Sequence, residues 1–124
     1  MDVTNATEKT EWDHPVQVTT ALLSESVESE FDGITVRSAE VTFRPGERTK
    51  FHTHAGAQVL YITEGDGIVA TRDEERAVSK GDIIVFPPGE EHWHGTKKDA
   101  TSSFSHVYFL AESGDGELTV LEPP

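Results

Sequence analysis

Along most of this chain, apolar residues recur at every second position in short bursts and rarely at the three-and-four spacing of a helix. Such alternation puts one set of side chains on a single face of a strand. Ile34-Thr35-Val36 and Val41-Thr42-Phe43 carry it within 33–43, and it returns over 49–54 and 57–65. Glu64-Gly65-Asp66-Gly67 then signals a turn, after which 68–72 resumes as a strand. Asp73-Glu74-Glu75 marks a second hairpin into 76–79, and the apolar run 83–86 is stopped by Pro87-Pro88-Gly89. A strand is expected again over 102–112, and 116–124 closes the chain. Only 19–29 shows a helical period, and a weak one. Many short strands with Gly and Pro between them predict an all-β sandwich or barrel. No repeat or linker divides the chain, so a single domain is expected over 16–124. Residues 1–15 are polar and acidic, with Trp12 and Pro15 as their firm features, and read as an arm or a loose first strand.

The length, 124 residues, suits one domain with a core of its own. Cysteine is absent, which excludes disulfides, thiolate metal sites and cysteine nucleophiles. Aspartate and glutamate outnumber lysine and arginine 23 to 10, for a net charge of −13. That charge argues against nucleic acid and anionic membranes as partners. It also matches adaptation to high salt, where the self-repulsion is screened over ~3 Å at about 1 M ionic strength. No stretch of about 18 apolar residues is present to span a membrane. The first residues, Met1 to Pro15, have neither a basic start nor an apolar run, so no signal peptide is expected and the cytoplasm is the expected location.

Candidate chemistry sits in two histidine segments. His52 and His54, two apart, project from one face of a strand, and in a chain that stays extended Gln58, Leu60 and Ile62 share that face. Imidazole nitrogen is a good ligand for divalent transition metals, and an amide oxygen can complete the set. Taken alone, His-Thr-His reads equally well as a pair of surface histidines. The second segment, Gly81 to Gly95, places His92 and His94 just beyond a buried-looking strand and a Pro-Gly turn. His106 shares a strand face with Phe104, Tyr108 and Leu110, as either a pocket residue or a core histidine.

Gly46, His52, Thr53, His54, Gln58 and Gly65, followed by Gly81, Pro87, Pro88, Gly89 and His92, resemble the two paired motifs of the cupin superfamily. The first motif ordinarily carries glutamate where this chain has Gln58, and the asparagine that usually ends the second is not evident. The resemblance implies an all-β jelly-roll barrel, a double-stranded β-helix. It also implies one divalent transition metal on His52, His54, Gln58 and His92, with His94 as competitor for the last role or as a residue orienting a ligand. The stretches "HTHAGAQ", "PPGEEHWHG" and "FSHVYF" are similar, more narrowly, to small single-domain cupins. These are akin to manganese-dependent bacterial hydroxynitrile lyases and carboxymuconolactone decarboxylase-associated cupins. That similarity implies manganese first, with iron, nickel and zinc as alternatives, and places His106 in the barrel, where an imidazole, ordinarily titrating near neutrality, is the candidate catalytic acid/base. Phe51 stands where that group usually has another aromatic residue, often tryptophan, and a proline usual before the glutamine is missing.

The expected function is metal-dependent chemistry on a small molecule, by a lyase or a dioxygenase. The alternative is a non-catalytic cupin that binds a small ligand. Outward-facing Val59 and Tyr61 need cover, so a homodimer is expected.

Overall fold

A computed structural model describes residues 1–114, 116 and 118–121. Among them the secondary structure is entirely β, in strands β1 (Lys9–Trp12), β2 (Ala21–Ser24), β3 (Val27–Phe31), β4 (Ile34–Phe43), β5 (His52–His54) and β6 (Ala57–Glu64). Then follow β7 (Asp66–Thr71), β8 (Glu75–Ser79), β9 (Ile83–Phe86), β10 (His92–Gly95), β11 (Phe104–Ser113) and β12 (Leu118–Val120). A seven-stranded sheet runs β1-β2-β4-β11-β6-β9, with β3 also paired to β4. A five-stranded sheet runs β12-β5-β10-β7-β8. The two layers form the jelly roll that the strand pattern and the motifs anticipate.

The weak helical period over 19–29 forms no helix. Its residues belong to β2 and β3, which pair with β4. Residues 9–12, inside the stretch read as an arm or loose strand, form the edge strand β1, and Trp12 packs against this chain's own core. The alternation in 34–43 and 104–113 marks the longest pairing of the fold, β4 with β11, in register from Ile34↔Ser113 to Phe43↔Phe104.

The turn at Gly65 exists, but β6 and β7 do not form the hairpin that the sequence suggests. β6 pairs with β11 and β9, and β7 with β8 and β10. The chain turns a corner between sheets there. Gly65 takes a φ of 75°, and a Cβ would run into the Ser103 carbonyl oxygen, so only glycine fits. The hairpin signalled by Asp73-Glu74-Glu75 does form, as β7 with β8.

The core lies between the sheets. Ala21, Val41, Phe43, Ile62 and Phe104 make one cluster, and Leu60, Val69 and Phe86 another. Phe51, Ile68, Ala70 and Trp93 form a third on the opposite face of the five-stranded sheet. The guanidinium of Arg48 stacks on Trp93 and that of Arg72 on Phe51, each 3.8 Å from the ring centre. No helix among the described residues is long and apolar enough to cross a membrane.

Candidate metal centre and cavity

β5 and β10 are antiparallel neighbours with His92 opposite His52. Strand alternation then turns His52, His54, His92 and His94 inward and leaves Trp93 to the outer cluster. Candidate ligand nitrogens of His52, His54 and His92 lie within 4.8 Å of one another. Gln58 joins them by a route the sequence does not disclose. The chain bends at Ala55-Gly56 and leaves the five-stranded sheet, so β6 approaches from the seven-stranded one. A single extended strand from His52 to Ile62 is therefore not what aligns the amide. Gln58 is buried beside Leu60 and Ile62 on the inner face of the opposite layer, with Oε1 3.1 Å from His92 Nε2.

Hydrogen bonds fix which nitrogens are free. His52 Nδ1 lies 2.8 Å from the Lys50 carbonyl and His92 Nδ1 2.9 Å from the Glu90 carbonyl. A carbonyl only accepts, so each Nδ1 carries the proton and each Nε2 keeps a lone pair. Burial, the main cause, pulls His52 and His54 down to about 4 and His92 to about 3, which keeps the rings neutral. His54 Nε2 has no hydrogen-bond partner. Gln58 Oε1 faces the His92 Nε2 lone pair at 3.1 Å, so either a cation between them or a turned amide that donates its N–H satisfies the contact. Lone pairs converging from three imidazoles and an amide oxygen fit a divalent cation with N and O ligands, and the carbonyl partners of Nδ1 are the kind that orient metal-binding histidines.

His94 does not join that group. Its Nδ1 lies 3.2 Å from His106 Nε2 on β11. Burial holds His94 well below the ordinary histidine value and pulls His106 to about 4, against an upward pull from the Glu40 carboxylate. Two neutral imidazoles in contact use one N–H and one lone pair. Whichever ring donates, the pair keeps one further N–H and one further lone pair, and neither His94 Nε2 nor His106 Nδ1 has another partner.

These groups open on a cavity of about 330 Å³. Trp12, Val16, Phe43 and Leu110 give it apolar walls, and His52, His54, Gln58, His94 and His106 line its polar end. Sequence reading missed three residues here. Glu112 is buried, accepts from Arg37 at 3.0 Å and from the Gly56 amide at 3.1 Å, and lines the cavity with Arg37. Its signal was present, since 112 shares the parity of 106, 108 and 110. Gln17 is buried on the wall with no such signal, in a polar segment after Pro15.

A two-layer β barrel with three histidines and an amide converging in its interior is the arrangement that the cupin resemblance anticipates, and the cupin domain matches residues 39–108. The chain belongs to that family. A relative is (R)-mandelonitrile lyase of Granulicella tundricola, 42% identical over 89 residues, which span 69% of this chain and 64% of that protein. The match thus covers less than two thirds of the relative's length. Gentisate 1,2-dioxygenase of a Ralstonia species is 42% identical over 52 residues, 41% of this chain and 15% of that enzyme. Among solved structures, a cupin-like protein of Thermotoga maritima superimposes with a TM-score of 0.70 at 25% identity, covering 98% of this chain and 89% of that one.

Proposed function

We propose that the protein is a metal-dependent lyase that cleaves small 2-hydroxynitriles, with His52, His54, Gln58 and His92 as ligands of one divalent ion, manganese first. The observation that carries this reading is the convergence of three neutral imidazoles whose candidate ligand atoms lie within 4.8 Å of one another, with the Gln58 amide 3.1 Å from His92. The likeness to (R)-mandelonitrile lyase supports the choice of substrate class. A bound divalent ion would supply Lewis acidity beside the reacting oxygen.

The chain's own residues account for the rest. Gln58 brings no charge where a glutamate would bring one, so the site keeps its full positive potential for an oxygen that becomes anionic. The free lone pair of the His94–His106 pair takes the hydroxyl proton as the bond from carbon to cyanide breaks. The carbinol carbon becomes an aldehyde carbonyl, cyanide leaves with the bonding electrons, and the pair's remaining N–H can protonate it. His106 is the catalytic residue of that pair and His94 its partner in moving the proton. The apolar walls hold an aryl or branched alkyl group and exclude water.

A dioxygenase is the second reading, favoured by the match to gentisate 1,2-dioxygenase. A homodimer is part of the proposal. Phe109, Val59 and Val85 stand abreast on β11, β6 and β9, with Val107, Tyr61 and Ile83 beside them. Ile83 and Val85 are 67% and 60% exposed, a continuous apolar surface that a second copy would cover.

The test begins with elemental analysis after growth with manganese, iron, nickel and zinc, where about one ion per chain is expected and His92→Ala should lose it. Benzaldehyde release from mandelonitrile should then require the metal and fall about a hundredfold or more in His106→Ala. Metal-loaded protein that releases no benzaldehyde above the rate of chelated protein would refute the lyase and leave binding or oxygenation.

A further inference from the structure

Gln17 is 3% exposed, lines the cavity, and has no hydrogen-bond partner at either Oε1 or Nε2. The large majority of buried side-chain polar atoms find one. Its backbone is firmly held. Gln17 forms a bridge with Thr49, its amide donates to the His14 carbonyl at 2.9 Å, and the flanking residues bond to Arg48 and Lys50. Thr49 in turn accepts from the His94 amide at 3.1 Å. The side chain is therefore placed by the frame that carries the histidines, yet nothing in that frame uses its amide.

We infer that Gln17 is a ligand subsite, and that the group it takes is a primary carboxamide on a small apolar body. An amide presents one acceptor and one donor side by side. A ligand that satisfies both with two parallel bonds in one plane is another primary amide, whose N–H donates to Oε1 while its carbonyl accepts from Nε2. A nitrile or a carboxylate only accepts, and leaves Oε1 unpaired. At about 30 Å³ for each non-hydrogen atom, the space of a water molecule in the liquid, the cavity holds about ten such atoms, the size of an aryl carboxamide. This inference extends the reading of the cavity as a small-molecule site and depends on neither the metal nor the lyase chemistry.

The test uses metal-free protein, so a failure of the proposed reaction leaves it unaffected. Benzamide and benzonitrile, nearly equal in shape, are titrated into wild type, Gln17→Met and Gln17→Leu and followed by ¹H–¹⁵N spectra. The Gln17 side-chain signals are identified by their loss in Gln17→Met. Benzamide should shift those signals and bind about tenfold or more tightly than benzonitrile, the weight of two modest hydrogen bonds. Gln17→Met should bring the two within about twofold, and Gln17→Leu serves if that variant does not fold. Equal binding of the two ligands to wild type would overturn the inference. So would no benzamide binding, a preference that survives substitution, or Gln17 signals held by a long-lived water that benzamide does not displace.

Discussion

Acidifying the metal-free protein from about pH 7.5 to about pH 5.5 should destabilise it severely, because folding locks five imidazoles in their neutral form. These are His52, His54 and His106 at about 4, His92 at about 3, and His94 well below its ordinary value. In the unfolded chain each titrates near 6.5. Between the folded and unfolded values the unfolded chain binds more protons. The stability is thus fully present above about pH 6.5 and drains away as the pH falls. At about pH 5.5 each histidine favours the unfolded state by about 1 kcal/mol, so the five together cost several kcal/mol, against a whole-domain stability of about 5–15 kcal/mol. The lowered carboxyls of Glu40 and Glu47 lie below 4.5 and act only at more acid pH. The assay is urea unfolding of chelated protein, followed by fluorescence of the packed Trp12 and Trp93. With slopes of about 1–3 kcal/mol per molar urea, the midpoint should fall by about 2 M or more. A fall under about 0.5 M would show that the histidines are not buried as neutral groups in the folded chain, and the account of the site would go with it.

Three further outcomes follow from particular contacts. Gly56→Ala puts a methyl against the Ala111 carbonyl oxygen and the Glu112 side chain, so it should lose about 2–4 kcal/mol in thermal or urea unfolding. Val85→Lys, on the exposed apolar row, should weaken self-association at least tenfold, about 1.4 kcal/mol, in sedimentation experiments, with folding unchanged. With a net charge of −13, the melting temperature should rise from about 0.1 M to about 1 M KCl as the screening length shrinks from ~10 Å to ~3 Å, and a flat response would reject adaptation to salt.

The clustering of His52, His54 and His92 was legible because it needs only strand alternation and two segments that a barrel brings together. The path to Gln58 was not. Local sequence favours continued extension, whereas the bend at Ala55-Gly56 is set by its packing on Ala111 and Glu112, far away in the chain. The turn at Gly65 was visible and its consequence was not, since a glycine shows that the chain can bend but not which strands pair afterwards. Gln17 left no trace at all. A glutamine after His14, Pro15 and Val16 looks like surface, and its burial comes from pairing with Arg48–Lys50, a contact of long sequence separation. Glu112 was within reach of the alternation rule, but a carboxylate at the end of an apolar face reads as the place where the core stops.

The imidazoles of the candidate centre hang from one layer of the barrel and the Gln58 amide from the other. Any cation gripping all four is also a rivet through the sandwich. Chelation should then unfasten the layers as well as empty the centre. The amides of β6 should trade their protons for deuterium faster, while the β7–β8 ribbon, which supplies no ligand, keeps its pace.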